Sequence, residues 1–405
     1  MAALDIAIAG AGVGGLAAAL GLARLGHRVV LVEKFAEPRP LGSGLILQPT
    51  GLGVLQSLGL IDEIRAHGRR IHRLFGKSGG RVVLDVAYAA LGDVEAVAVH
   101  RSALFGALFS AVEREAGVSL ERGFEVAGLE RYAGGRPALV AQDGKRIGPF
   151  DLVVDAAGAR SPLSADFPAR RRALGYGAIW ANVPWPGAPF DQGSLEQRYA
   201  RAHAMTGVLP IGRRFGEAEE LAAFFWSIKP ERFADWRARG LGRWRDDVAR
   251  LWPEAGAVVD GVVDLDQMIL AAYGHHTLAR PYRERLAVIG DAAHATSPQL
   301  GQGANMALLD AEALTAAVAE NPDPERAPEA YARARRAHVR LYQAMSAAFT
   351  PFYQSDSRVL PALRDWMFAP VSRAPGMDRM LAALVAGSVG RKALSPPAVR
   401  SQALR

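Results

Sequence analysis

The sequence predicts an α/β fold: a Rossmann-like domain built on a parallel sheet, an inserted antiparallel sheet, and a helical C-terminal region. Three observations predict it. Residues 4–20, LDIAIAGAGVGGLAAAL, read as a buried strand, a glycine turn and a helix of small residues. Aromatic-rich alternating segments replace the strand–helix rhythm between about residues 175 and 271. The rhythm returns at RLAVIGDAAHATSPQLGQGANMALLDA and then gives way to helix.

The opening turn carries Gly10, Gly12 and Gly15 at G-x-G-x-x-G spacing. Gly10 allows the tight turn, Gly12 lets a pyrophosphate approach the backbone, and Gly15 lets the helix pack close to its strand. The next strand, HRVVLVE, ends at Glu33, 18 positions beyond Gly15, where an acidic side chain suits the hydroxyl pair of a ribose. A proline-punctuated loop follows, then GSGLILQ, a helix from Pro49, a break at Gly59 and a second short helix. Residues 71–86 read as a hairpin turning at Gly79-Gly80, and a helix resumes near Ser102. Further strands follow, with a hairpin at Asp143-Gly144 and a buried strand in DLVVDAA.

The predicted organisation is therefore residues 1–175 as the first part of the nucleotide-binding domain, with the hairpin near 71–98 joining the substrate lobe. Residues 176–275 form that lobe, 276–335 complete the first domain, and 336–405 are C-terminal helices. Pro351, Pro361, Pro370 and Pro375 are expected to divide those helices into short pieces.

Composition excludes several functions. The 405 residues hold no cysteine, so disulfides, thiolate catalysis and cysteine-held metals are ruled out. The net charge of +7 is spread rather than blocked, and no nucleic-acid motif is present. No apolar run reaches the roughly 18 residues a spanning helix needs. MLAALVAGSVG, from Met380, is too short to span and reads first as core, leaving peripheral membrane contact or a homodimer open. With no cleavable signal pattern, a cytoplasmic enzyme is expected.

In the third motif, Gly290-Asp291 follows a buried strand, which puts Asp291 at a carboxyl end, where open α/β sheets bind ligands. Gly301 and Gly303 open a helix whose backbone N–H groups and dipole favour negative charge.

Together, GAGVGG, Glu33, DLVVDAAGARSPL and the Gly290–Ala311 stretch resemble the group A flavoprotein aromatic hydroxylases, the para-hydroxybenzoate hydroxylase-like FAD monooxygenases. The branch with ubiquinone-pathway and salicylate hydroxylases is the nearest, and the resemblance runs from about residue 4 to 345. It implies FAD as cofactor, NADPH or NADH as co-substrate, and O₂ insertion into an aromatic or quinone- or polyketide-like small molecule through a flavin C4a-hydroperoxide. It also implies cofactor contacts at Arg39, Arg101, Asp155, Asp291 and Asn305, and a place beside the reacting ring for Pro298.

One departure stands out. The family's Asp-Gly pair is Ala157-Gly158 here, with Asp155 two places earlier. Flavin-dependent halogenases and some reductases of the same fold carry a similar variant, which keeps a halogenase, a reductase or dehydrogenase, and a partner-reduced monooxygenase as alternatives. Asp155 or Arg160 would otherwise take over in hydride delivery. For substrate, Tyr199 and His203 are candidates on one strand. Tyr176, Trp180, Phe224, Phe225 and Trp226 suggest an aromatic guest or an aromatic core. No catalytic base can be named, and His294 reads as shaping its loop.

Overall fold

The computed structural model describes residues 2–38, 42–321, 323–372, 374 and 376–390. Its first sheet has six strands, in the order 282–283, 286–288, 152–155, 5–9, 28–33 and 118–122. All neighbours are parallel except the 282–288 hairpin. Burial explains the sequence of the inner strands: Ile6, Ile8, Leu152 and Val154 meet helices on one face, while Ala7, Val153 and Val288 meet a second cluster on the other. The register aligns Ala9 with both Val32 and Asp155, and Asp155 with Val288. Four carboxyl ends therefore converge at one edge, which is where such sheets bind ligands.

Helices Val13–Arg24 and Gly303–Glu320 pack together over this sheet. Their contact is made by small residues: a Cβ on Gly14 would stand 3.4 Å from that of Ala307, and one on Gly21 would collide with Thr315. The motif helices of the two sequence-distant halves thus lie side by side.

The second sheet has seven strands, in the order 269–271, 177–184, 220–228, 204–213, 194–200, 73–78 and 81–87. Alternation assigns its faces. Ile179, Ala181, Val183, Val208 and Phe224 pack under Trp244, Trp252 and Val258 of a helical layer. Ala178, Trp180, Asn182, Phe225, Met205 and Tyr199 face the first sheet's side across a cavity. Of the aromatics singled out from sequence, Phe224 is therefore core, its ring 5.7 Å from that of Trp244, and Trp226 packs partly into the same cluster. Tyr176 donates to Asp356 at 2.7 Å. Trp180 and Phe225 are the two that face the cavity.

The C-terminal prolines cut the chain less than expected. Pro351 sits in the last turn of a 27-residue helix, Ala327–Tyr353, and Pro370 lies within Val359–Ser372. Pro361 occupies a first turn, where a missing N–H costs nothing. Pro375 lies outside the described residues. Within MLAALVAGSVG, Ala382, Leu384, Val385 and Ala386 are buried, so this segment packs inward, although Met380 remains exposed. Among the described residues no helix is long and apolar enough to cross a membrane.

Candidate active site

The glycine turn has the geometry its spacing predicts. Gly10 holds φ +102°, and a Cβ there would come 2.6 Å from the Ala156 carbonyl oxygen. A Cβ on Gly15 would overlap the carbonyl oxygen of Gly10. At Gly12 a Cβ would meet nothing within 4 Å, because the residue faces open space. Gly12 is also the N-cap of Val13–Arg24 and offers no side-chain cap, so the first-turn N–H groups remain open to an anion. Glu33 accepts from Ala11 N–H at 2.9 Å through one oxygen and from Phe35 N–H at 3.1 Å through the other. A carboxylate has about four acceptor positions, which leaves room for a hydroxyl pair. These features fit the pyrophosphate and ribose of a dinucleotide.

The segment 296–304 lines the cavity from Thr296 to Ala304. Pro298–Leu300 form one 3-10 turn, closed by Gly301 N–H to Pro298 O at 2.9 Å. Gly301 is left-handed, φ +61°, a conformation that favours glycine. Helix Gly303–Glu320 then starts without a side-chain cap. Asp291 and Pro298 are exposed to the cavity, and Arg101 joins them across it, lying against Gly42.

The side chains of Asn305, Asp155 and His203, all predicted site residues, do not line the cavity. Asn305 is fully buried and does not line the cavity. Its oxygen accepts from Gln48 N–H at 2.8 Å, and its amide nitrogen donates to Ile46 O and Gly301 O, both at 3.0 Å. It ties the 301 turn to strand Gly44–Leu47. Asp155 is also fully buried: Oδ1 accepts from Ser161 Oγ at 2.8 Å and Ala157 N–H at 3.1 Å, while Oδ2 has no partner. Burial pushes this carboxyl up to about 6 against those two hydrogen bonds. It holds its own loop, whereas Ala157 and Arg160 are exposed beside it. His203 stands exposed in the turn after the strand that ends at Ala200, so it does not share a strand with Tyr199. Tyr199 is buried and lines the cavity. Arg39 lies outside the described residues.

His294 does shape its loop. Its Nε2 meets Asp310 Oδ2 at 2.6 Å, and the same oxygen accepts from Gly290 N–H at 2.9 Å. Arg335 Nε donates to Asp310 Oδ1 at 2.7 Å and its guanidinium reaches His338, whose ring meets Gly387 O at 2.9 Å. Burial opposes the charge on Asp310, but His294 and Arg335 outweigh it and hold the carboxyl well below the usual carboxylate range. This chain of polar groups fixes Gly290-Asp291 against the C-terminal helices.

Several contacts around the cavity had no sequence signal of their own. Gln48 accepts from Tyr88 OH at 2.6 Å. Asn182 bridges Ser43 and His100. Trp180 Nε1 donates to Tyr273 OH at 2.9 Å. Leu381, Leu384 and Val385 close one end. Only the alternation of strand 177–184 could have pointed to Trp180 and Asn182 together. The cavity measures about 570 Å³, within the range of small-molecule sites. No group of three metal-binding side chains occurs among the described residues.

Residues 3–345 match the family described as an FAD binding domain. The chain belongs to that family. This FAD-binding chain is 26% identical to 3-hydroxybenzoate 6-hydroxylase 1 of Aquipseudomonas alcaligenes, over 86% of its length and 89% of the relative's. Its fold matches the tetrameric form of 2-methyl-3-hydroxypyridine-5-carboxylic acid oxygenase with a TM-score of 0.78 at 23% identity, covering 96% of each chain. It also matches a Klebsiella pneumoniae HpxO variant complexed with FAD, with a TM-score of 0.80 at 20% identity, covering 96% of this chain and all of the other. At these identities the structural likeness speaks for the fold.

Proposed function

We propose that the protein is an FAD-dependent monooxygenase that hydroxylates an aromatic small molecule with O₂ and NAD(P)H. The balance is one aromatic C–H, O₂, NAD(P)H and a proton giving C–OH, NAD(P)⁺ and water. The observation that carries this reading is the sharing of one cavity by the 296–304 turn of the FAD-binding fold and the aromatic face of the seven-stranded sheet. FAD, when bound, supplies oxygen activation, and the protein positions the substrate, excludes water and stabilises charge.

The residue roles belong to the same proposal. Gly10, Gly12 and Gly15 cradle the pyrophosphate, Glu33 takes a ribose, and Asp291 and Arg101 meet the chain between. The backbone of Gly301 to Gly303 offers donors to a negatively charged ring, and Pro298 stands at its edge. Asn305 and Asp155 act by holding these loops. Residues 1–175 and 276–335, without the hairpin near 71–98, make the cofactor-holding unit. Residues 176–275 with that hairpin make the substrate-holding unit. A cytoplasmic setting and self-association are also proposed, the latter after the tetrameric neighbour.

The test is anaerobic mixing of the flavin-loaded protein with NADPH or NADH, with and without phenols, followed at the flavin's visible band. Bleaching that a phenol accelerates is the expected result. Reduction by dithionite but by neither nucleotide would defeat direct hydride transfer and assign the loss of the Asp-Gly pair at Ala157 a functional consequence.

A further inference from the structure

We infer that the cavity is shaped for a neutral aromatic ring bearing an aliphatic chain, with the ring toward Trp180 and Tyr273 and the chain toward the hairpin 73–87 and residues 381–385. This rests on the hydroxylase reading for its chemistry, but the argument for it lies in the cavity wall.

Cross-strand register gives the wall two different rows. In one, Trp180 stands opposite Phe225, Phe225 opposite Gly207, Gly207 opposite Gln197, Gln197 opposite Gly76, and Gly76 opposite Leu84. Its two glycines make room for rings. A Cβ on Gly207 would enter the Phe225 ring, and one on Gly76 would lie 2.7 Å from Cε2 of Tyr199. These rings therefore lie low across the strands, and with Trp180 and Phe225 4.9 Å apart and tilted by 38° they offer aromatic faces to a planar guest. In the neighbouring row Asn182 stands opposite Ala223 and Ala223 opposite Leu209; farther along, Leu195 stands opposite Leu74 and Leu74 opposite Val86. Beyond Asn182 those side chains are aliphatic, and Leu381, Leu384 and Val385 line the same cavity from the C-terminal helix.

Polar groups lie at the ring end, and along the first row Gln197 is occupied in accepting from Tyr199 OH at 2.6 Å. Trp180 Nε1 donates to Tyr273 OH, and Asn182 is held by Ser43 and His100. Burial pushes the Tyr273 hydroxyl up to about 12, so it is a neutral hydrogen-bonding group at physiological pH. Counter-charge for an acid is missing from the sheet face. Among the described lining residues the cation is Arg101, which lies against Gly42 on the FAD side. Asp85 accepts from Nε and one terminal nitrogen of Arg73. Arg364 is fully buried, with Asp365 beside it and the rings of Tyr199 and Tyr353 against it. A carboxylate laid on this face would be desolvated without a partner, whereas each buried methylene of a chain adds affinity.

The test is titration of the oxidised, FAD-loaded protein with 4-methyl-, 4-butyl- and 4-heptylphenol and with 4-hydroxybenzoate, read by perturbation of the flavin spectrum. Affinity is expected to rise about 3-fold per methylene, and 4-hydroxybenzoate to bind at least about 10-fold more weakly than 4-methylphenol. Leu209→Trp fills the aliphatic end and should abolish the chain-length gradient, with retained flavin as the check on folding. If that variant loses its flavin, Leu195→Ala should weaken the heptyl compound more than the methyl one. A flat series, a carboxylate that binds as well as the neutral phenols, or no binding by either overturns the inference. A steep series with no hydroxylated product under O₂ and NAD(P)H would instead defeat the hydroxylase reading and leave the cavity's preference standing.

Discussion

The cofactor side and the substrate side of the site are built on opposite rules. The cofactor side is backbone: Gly10, Gly15 and Gly301 are there because no side chain fits or because φ is positive, Gly12 faces open space, and each lies within a short run of sequence. The substrate wall is side chains on a sheet, and which of them face inward is set by pairing between strands as far apart as Gly76 and Gln197. A dinucleotide demands close backbone approach, and that demand leaves a local signature. An apolar guest demands only area and shape, which many sequences supply. The cofactor side should therefore fail at a carbon added to Gly10 or Gly15, and the substrate wall should merely retune.

The sharpest way to break that contrast is Gly15→Val. Its Cβ overlaps the Gly10 carbonyl, which cannot move without opening the strand–helix turn. The expected outcome is a protein without its yellow band, destabilised by about 4 kcal/mol or more; full flavin content would refute the backbone rule. Next comes Asp310→Asn, which leaves Arg335 buried without its counter-charge and should cost about 3–5 kcal/mol in urea unfolding. Because Asp310 is held below the usual carboxylate range, its contribution is present above about pH 4 and lost as the pH falls through the native value.

Asp155 has the opposite sign. Its native carboxyl titrates near 6, above the unfolded value, so the fold is favoured by protonation, and that advantage disappears as the pH rises from about 4 through 6. Asp155→Asn keeps an acceptor for Ala157 and Ser161 and removes the titration. The stability gap between variant and parent should then move by about 2 kcal/mol in the variant's favour between pH 4.5 and 7. On the other wall, Phe225→Leu should weaken phenol binding about 5-fold, roughly 1 kcal/mol, with flavin content unchanged. The smallest effect is at Gly53, which lies inside helix Pro49–Ser57 with nothing within 4 Å of its would-be Cβ. Gly53→Ala should add about 0.5–1 kcal/mol, showing that the glycines of the cofactor turn are special and not merely glycines.

What could be read beforehand follows the same division. The glycine turn, Glu33, the 290–305 motif and the alternation of two sheets were legible because each is contiguous or periodic. Asp155 and Asn305 were visible as motif residues, but the inward turn of their side chains was not, because it depends on partners at Ser161 and Gln48. Tyr199 and His203 look alike in sequence. The chain leaves its strand at Ala200, Arg201 adopts φ +54°, and the two side chains end up in different environments. Phe224 and Phe225 are neighbours that alternation sends to opposite faces. The closing wall at 381–385 could not be inferred, since nothing local announces that a C-terminal helix returns to a cavity begun at residue 42.

The order of the six-stranded sheet also sets a timetable for biosynthesis. Its first strand to leave the ribosome, Asp5–Ala9, gains one parallel neighbour from residues 28–33, the other only from 152–155, and the sheet is not complete until 286–288 arrives. At about 5–20 residues per second, the nascent glycine turn waits tens of seconds for the helix that packs beside it. Through that interval the apolar faces of Ile6, Ile8 and Leu16 have no final cover. Yield in a heterologous host should accordingly respond to chaperone supply and to translation speed upstream of codon 320.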